Sequence, residues 1–216
     1  MSWDYICFDM DGTLSDSGPG ITRCADYALK RMGRPSPGPE ALRYFVGPPL
    51  SDSFGVVNGM NEEDTQQAIK FFRERYAEKG IQEQEPYPGI PEMIQELYAA
   101  GKHLQIASSK PRPYILRILT DYGILNCFEN VVGSEFDGRF AKKTAVLEEL
   151  LRRLDECERR REQIVMVGDR YYDVRGAHEH GLKCIGVRYG YGAADEFADA
   201  DFAVDSVEEL RELLLR

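Results

Sequence analysis

Short apolar runs alternate with amphipathic segments along most of this chain of 216 residues. The apolar runs have the character of buried strands, whereas the segments between them repeat apolar residues at three- and four-residue intervals, as helices do. Strands that alternate with helices form a parallel sheet covered by helices on both faces. The pattern therefore predicts an α/β fold with a parallel-sheet core.

The alternation predicts six strands and five helices. The strands are predicted at residues 5–8, 104–107, 131–132, 164–167, 184–187 and 202–204. The helices are predicted at residues 90–100, 114–122, 143–154, 173–180 and 207–215.

One long interval, residues 16–84, has helical spacing and no clear buried strand. Its helix candidates, separated by segments rich in Gly and Pro, are residues 21–32, 40–46, 50–57 and 62–79. An insertion after the first strand lies near the carboxyl ends of the strands, where α/β folds bind ligands. We predict an α/β core of residues 1–15 and 85–216, and an α-helical cap of residues 16–84.

The first predicted strand ends in an acidic turn of sequence DMDGT, residues 9–13. In an extended segment, residues two apart point the same way, so Asp9 and Asp11 can face one site. A hard divalent cation such as Mg²⁺ would offset their repulsion, and Gly12 allows a sharp turn close to a ligand. From this segment alone, an ordinary acidic surface turn remains open.

Later predicted strands also end in residues suited to phosphate chemistry. Ser108 follows one strand and either binds an anion or only caps the next helix. A lysine at position 142 or 143 precedes another helix and could neutralise phosphate charge. Asp169 ends a further strand, and Asp173 follows in the opening turn of the next helix. Two acidic strand ends in one parallel sheet are costly to bring together without a metal ion.

In this order, DxDGT, a strand-end serine, a lysine and GDxxxD resemble the motifs of the haloacid dehalogenase superfamily. The resemblance covers essentially the whole chain. Residues 47–50, 108–111, 168–170 and 190–192 look most like the phosphoglycolate phosphatase-like group. The resemblance implies a Rossmann-like core with an inserted type-1 helical cap. It also implies that the protein is a Mg²⁺-dependent phosphatase.

The resemblance also implies catalytic and metal-binding roles. Asp9 would attack the substrate phosphorus and become an aspartyl-phosphate. Asp11 would protonate the leaving alcohol and then activate the hydrolytic water. Asp9, Asp169 and Asp11, the last through its backbone carbonyl, would hold Mg²⁺.

Ser108 and Lys143 would bind the phosphoryl group, by the same resemblance. Lys143 is preferred over Lys142 because similar sequences favour the second lysine after the Asp-Gly pair at 137–138. Asp173 would support the metal site or Lys143, and two residues of the acidic turn, Gly12 and Thr13, complete the supporting set.

The resemblance leaves the substrate open. A small phosphorylated metabolite is expected, with a phosphoglycolate-like compound in first place and a 5′-nucleotide as the alternative. A sugar-phosphate mutase shares the motifs, but residues 45–54 do not resemble that group. A phosphorylated signalling module is disfavoured, because such modules lack an inserted cap and are about half this length.

The composition of the chain limits the partners that it can bind and indicates its cellular compartment. A formal net charge of −10 disfavours a nucleic-acid polymer or an anionic membrane as the main partner. We expect no signal peptide and no membrane span. The five cysteines form no CxxC pair, which favours a reducing cytoplasm, with Cys7 and Cys184 as buried apolar residues. A monomer or homodimer is expected.

Overall fold

The computed structural model describes residues 3–155 and 161–216. The described chain divides into two compact units. The core unit contains the residues up to Ser15 and those from Pro86 onward, and the helical unit is Asp16–Glu85. Two short strands that pair with each other, β2 (Ser15–Asp16) and β3 (Glu85–Pro86), contain the two points where the chain passes between the units.

The core unit is built on a six-stranded parallel sheet. Its strands are β1 (Tyr5–Phe8), β4 (His103–Pro111), β5 (Phe128–Ser134), β6 (Ile164–Gly168), β7 (Lys183–Val187) and β8 (Phe202–Val204). Their spatial order is β5-β4-β1-β6-β7-β8, and every neighbouring pair is parallel. The predicted α/β class with a parallel, Rossmann-like core is therefore confirmed.

Strand β1 lies in the interior of this sheet, between β4 and β6. All four of its residues are buried, as expected for a parallel strand with helices on both faces. Phe8 is level with Ile106 of β4 and with Val167 of β6. The residues that follow these positions therefore reach the same edge of the sheet.

The described part of the core unit also contains five α-helices. They are α3 (Ile90–Ala99), α4 (Arg112–Asp121), α5 (Lys143–Asp155), α6 (Tyr171–Glu179) and α7 (Val207–Leu214). Helix α5 buries one apolar face against the sheet, with Val146, Leu150 and Leu154 beside Tyr5 and Cys7 of β1. The four-residue spacing of these side chains is that of one helical face. This packing fixes the position of Lys143, the first residue of α5.

The helical unit contains two α-helices, α1 (Gly18–Arg31) and α2 (Glu62–Glu78). The segments between them, predicted as helices, form a 3₁₀ segment at Pro39–Phe45 and a π-helical segment at Asp52–Val57. A chain of aromatic contacts packs the interior, with ring centroids 4.8 Å apart for Phe45 and Phe54 and 6.5 Å apart for Phe54 and Phe72. The unit therefore has an apolar core of its own.

Two further observations concern the described residues. None of their helices combines the length and apolar character needed to cross a bilayer. Cys7 and Cys184 are fully buried free thiols, as predicted, and burial raises the pKa of Cys7 to about 12. Cys157, counted among the five cysteines, lies outside the described residues.

Candidate active site

The site begins at the sheet edge where β1 and β6 end side by side. Asp9 follows β1, and its backbone N–H donates to the carbonyl of Val167, 2.9 Å away. Asp169 follows β6, and Asp173 lies in the first turn of α6. Carboxylate oxygens of Asp9, Asp169 and Asp173 lie within 4.8 Å of one another. We call these three residues the acidic cluster.

Burial makes the acidic cluster electrostatically unfavourable in isolation. Asp169 is fully buried, and its Oδ1 has no hydrogen-bond partner among the described residues. Burial, together with the charges of Asp173 and Asp9, raises the pKa of Asp169 well above its usual range. The pKa of Asp173 is raised to about 6 by burial, despite the opposing charge of Lys143.

This donor set fits a hard cation. Three carboxylates that converge in a buried site, one with an orphaned oxygen, are the oxygen ligands that Mg²⁺ prefers. A bound cation would offset the repulsion between the carboxylates and satisfy Oδ1 of Asp169. The cluster is therefore suited to hold Mg²⁺.

Lys143 provides positive charge beside the acidic cluster. Its Nζ lies 2.8 Å from Oδ1 of Asp9 and 2.8 Å from Oδ1 of Asp173, and it donates to the carbonyl of Ala107 at 2.8 Å. Burial alone would lower the pKa of Lys143, but the charges of Asp173 and Asp9 outweigh it and raise the pKa above its ordinary value. The ammonium therefore stays charged. Lys142 is exposed.

Asp11 has a different environment from Asp9. Its Oδ1 accepts a hydrogen bond from Nζ of Lys110 at 2.6 Å, in an ion pair that is almost completely buried. The third carboxylate of the acidic cluster, beside Asp9 and Asp169, is thus Asp173 and not Asp11. Asp173 was predicted only as a supporting residue. The metal contact predicted for Asp11 runs through its backbone carbonyl and stays a prediction.

Lys110 was missed by the sequence analysis. It stands two residues after Ser108 in an extended strand, and both side chains are buried while Ser109 between them is half-buried. The two-residue spacing of Ser108 and Lys110 was the available signal in the sequence, because residues two apart in a strand point the same way. The hydroxyl of Ser108 accepts the backbone N–H of Lys110 at 3.3 Å, next to the carbonyl of Ala107 that binds Lys143.

Two glycines allow the backbone to approach Asp169 closely. Gly12 has φ +82°, and a side-chain Cβ at this position would overlap the carboxylate of Asp169. A Cβ at Gly190, in the loop after β7, would overlap the same side chain. The next residue, Tyr191, donates its backbone N–H to Oδ2 of Asp169 at 2.7 Å. The hydroxyl of Thr13 is buried and has no hydrogen-bond partner among the described residues.

The model of the haloacid dehalogenase-like hydrolase family matches residues 6–187. The chain belongs to this family. The match includes both acidic segments, both buried lysines and the whole helical unit. The predicted family and the predicted hydrolase class are therefore confirmed.

Similar proteins carry several functional names. A 5′-nucleotidase from Pseudomonas aeruginosa is 39% identical over 91% of this chain and 87% of that protein. A protein from Mycobacterium tuberculosis named tyrosine-protein kinase PtkA is 36% identical over 97% of this chain and 72% of its own length. A phosphoglycolate phosphatase from Vibrio parahaemolyticus is 30% identical over 97% of this chain and 95% of that protein.

A crystal structure from Clostridium acetobutylicum, described as a predicted phosphatase, resembles the whole chain. It has a TM-score of 0.94 and 36% identity, and covers 100% of this chain and 99% of the other. This hydrolase thus has phosphatase relatives in sequence and in structure.

Proposed function

We propose that this hydrolase is a Mg²⁺-dependent phosphatase that hydrolyses a small phosphomonoester through an aspartyl-phosphate at Asp9. One observation carries the proposal: the buried acidic cluster is joined to a buried lysine, with Lys143 Nζ 2.8 Å from both Asp9 and Asp173. Phosphoryl transfer depends mainly on positioning and charge stabilisation. The site offers a carboxylate nucleophile, a fixed ammonium and carboxylate ligands for a cation.

Mg²⁺ would be held by Asp9, Asp169 and the backbone carbonyl of Asp11, with Asp173 supporting the site. When bound, it would supply positive charge that neutralises phosphate oxygens and allows the dianionic substrate to approach a carboxylate. Lys143 and the hydroxyl of Ser108 would bind the remaining phosphate oxygens.

The reaction then divides into two displacements. In the first, a carboxylate oxygen of Asp9 bonds to phosphorus while the bond from phosphorus to the leaving oxygen breaks, and that oxygen takes a proton from the Asp11 carboxyl group. In the second, Asp11 takes a proton from water as the water oxygen bonds to phosphorus. The Asp9–phosphorus bond breaks, inorganic phosphate is released and both side chains are restored.

The substrate is proposed as a small phosphorylated metabolite, with phosphoglycolate first. A 5′-nucleotide is the second candidate, because a relative 39% identical to this chain is a 5′-nucleotidase. We propose that the helical unit is the cap that selects between such substrates, since it is inserted directly after the acidic turn. A cytoplasmic location and a monomeric or homodimeric state remain predictions.

The proposal is tested by phosphate release from a panel of monoesters, namely phosphoglycolate, nucleoside 5′-monophosphates and sugar phosphates, each with Mg²⁺ and with EDTA. We expect Mg²⁺-dependent release that Asp9→Asn abolishes. Asp121→Asn is the matched control, because this carboxylate lies on the surface with a side chain 62% exposed. Activity that survives Asp9→Asn, or that EDTA leaves unchanged, would overturn the mechanism.

The same panel includes ATP with a tyrosine-containing peptide, because one relative is named a tyrosine kinase. An aspartyl-phosphate can transfer its phosphoryl group to the hydroxyl group of another molecule instead of to water. Release of inorganic phosphate without peptide phosphorylation is the result expected of a phosphatase. Peptide phosphorylation in preference to hydrolysis would assign the chain to phosphoryl transfer instead.

A further inference from the structure

We infer that Lys110 is a positioning residue for Asp11, which it holds in the orientation that serves the leaving-group oxygen. The inference rests on the proposed phosphatase function and extends it to a residue with no role so far. Lys110 Nζ donates to Asp11 Oδ1 at 2.6 Å, and the two side chains are only 3% and 12% exposed. A buried charge-assisted hydrogen bond of this length is strong and directional.

The backbone of Lys110 is held by its own strand and by the neighbouring strand β5. Its N–H donates to Ser108 Oγ at 3.3 Å. Its carbonyl lies against Gly133 of β5, where an added Cβ would be only 2.7 Å away. The pairing of β4 with β5 shifts register between Ser108 and Pro111, so the strand continues irregularly beyond its regular pairing. This irregular end presents Lys110 to Asp11.

Each carboxylate of the acidic turn therefore has its own buried lysine. Lys143 binds Asp9 and Asp173, whereas Lys110 binds Asp11. Asp11 lies on the turn beside Gly12, and a backbone position does not by itself select one side-chain rotamer. General acid catalysis requires the carboxyl group within hydrogen-bond reach of the leaving oxygen. An anchor on one carboxyl oxygen leaves the other available for that task.

A second role for Lys110, direct binding of the phosphoryl group, predicts different kinetics. A residue that positions the general acid matters most for esters with poor leaving groups, which need a proton. A residue that binds the phosphoryl group affects all monoesters alike. Alkyl and aryl phosphates therefore distinguish the two roles.

The experiment compares kcat/KM of Lys110→Met for glycerol phosphate and for p-nitrophenyl phosphate with Mg²⁺. Because kcat/KM reports the first phosphoryl transfer, a common dephosphorylation step does not mask the difference. We expect a loss of about 100-fold for the alkyl ester, as for a misplaced catalytic group, and a nearly unchanged value for the aryl ester. Lys110→Arg should recover part of the alkyl activity, and Lys110→Met in an Asp11→Asn background should cause no further loss.

Lys70→Met, which removes an exposed lysine of α2, is the control and should change neither value. If Lys110→Met fails to fold, Lys110→Gln carries the same comparison, because it keeps a donor without the charge. Equal losses for both esters, or no loss for either, would overturn the inference while leaving phosphatase activity intact. A wild-type protein that releases phosphate from neither ester, nor from any monoester of the panel above, would overturn the proposed function, and the inference with it.

Discussion

Lys143 and Asp9, 134 residues apart in sequence, form a buried ion pair with Nζ 2.8 Å from Oδ1. The same ammonium reaches Asp173 at the same distance. The site thus fixes a buried cation against the potential nucleophile, beside the position proposed for the transferring phosphoryl group.

Replacement of this lysine should affect both activity and stability. Lys143→Met removes the cation from the Asp9–Asp173 pair, so we expect kcat to fall about 100- to 1,000-fold, as for loss of one charge-stabilising donor. The unpaired buried carboxylates should lower the free energy of unfolding by about 3 kcal/mol. Steady-state kinetics and urea unfolding measure the two effects.

Lys142→Met is the control for that variant, since Lys142 is the exposed neighbour in sequence. It should change kcat and the free energy of unfolding by little. If Lys142→Met inactivated the enzyme and Lys143→Met did not, the phosphate-binding lysine would be assigned wrongly.

Asp169 should show opposite effects on stability and activity. In the metal-free protein, Asp169→Asn removes a buried charge that Asp173 and Asp9 disfavour, while the new amide oxygen still accepts the N–H of Tyr191. We expect a higher Tm without Mg²⁺, together with loss of Mg²⁺ binding and of hydrolysis. Thermal unfolding and Mg²⁺ titration calorimetry measure these changes.

Asp201→Asn provides the contrast. Partial burial of the Asp201 side chain, which is 28% exposed, would raise its pKa, but the N–H of Cys184 and the ring of His178 outweigh this and lower it, so its charge is favourable. This variant should lower Tm and leave Mg²⁺ binding unchanged. A lower Tm for metal-free Asp169→Asn would contradict the electrostatic account of the acidic cluster.

Asp173 contributes to the pH dependence of metal-free stability. Its pKa is about 6 in the folded protein and near the ordinary 3.8 when unfolded. A raised folded-state pKa means that the folded protein binds the proton more tightly, so this contribution is present below pH 4 and is lost as pH rises through 6. Asp173→Asn should flatten the corresponding part of the stability profile between pH 4 and 7.

Mg²⁺ should counteract this loss at neutral pH, because it binds the ionised carboxylates of the native state. At a concentration of 100 Kd, a ligand specific to the native state adds about 2.7 kcal/mol to the free energy of unfolding. Urea unfolding with and without Mg²⁺ at pH 5 and pH 7.5 checks the sign. A larger stabilisation at pH 5 would be inconsistent with binding to ionised carboxylates.

Much of the fold could be predicted from the sequence, because buried parallel strands leave continuous apolar runs. Strands β1 and β8 have the predicted bounds. Strand β4 continues to Pro111, beyond the predicted end at residue 107. Ser108 and Lys110 near its end are polar, and Lys110 reaches Asp11, so the hydrophobic signal stops before the strand does.

The site was only partly predictable for a related reason. Motif order indicates the residue types, but the pairing of Asp11 with Lys110 joins positions 99 residues apart and depends on the irregular end of β4. The helical unit shows a similar limit. Spacing over six or seven residues does not separate an α-helix from the 3₁₀ and π segments at Pro39–Phe45 and Asp52–Val57.

Gly12 offers a test of close packing against Asp169. Gly12→Ala combines an unfavourable positive φ with an overlap between Cβ and the Asp169 carboxylate. Gly101→Ala is a matched control, with φ +80° against +82° and no heavy atom within 4 Å of the added Cβ. Both should lose about 1–2 kcal/mol of stability from backbone strain, but only Gly12→Ala should weaken Mg²⁺ binding and activity. Equal Mg²⁺ affinities of the Gly12→Ala and Gly101→Ala variants would show that the overlap is relieved without moving Asp169.

The phosphorylated residue itself gives the most direct test of the mechanism. The Asp11→Asn enzyme, which should form the aspartyl-phosphate and hydrolyse it slowly, is mixed with p-nitrophenyl phosphate and Mg²⁺, quenched in acid and reduced with borohydride. Reduction converts a phosphorylated aspartate to homoserine, which peptide mass spectrometry locates. The account predicts homoserine at position 9 and at no other aspartate. Release of p-nitrophenol with Asp9 unmodified, or homoserine at another position, would contradict it.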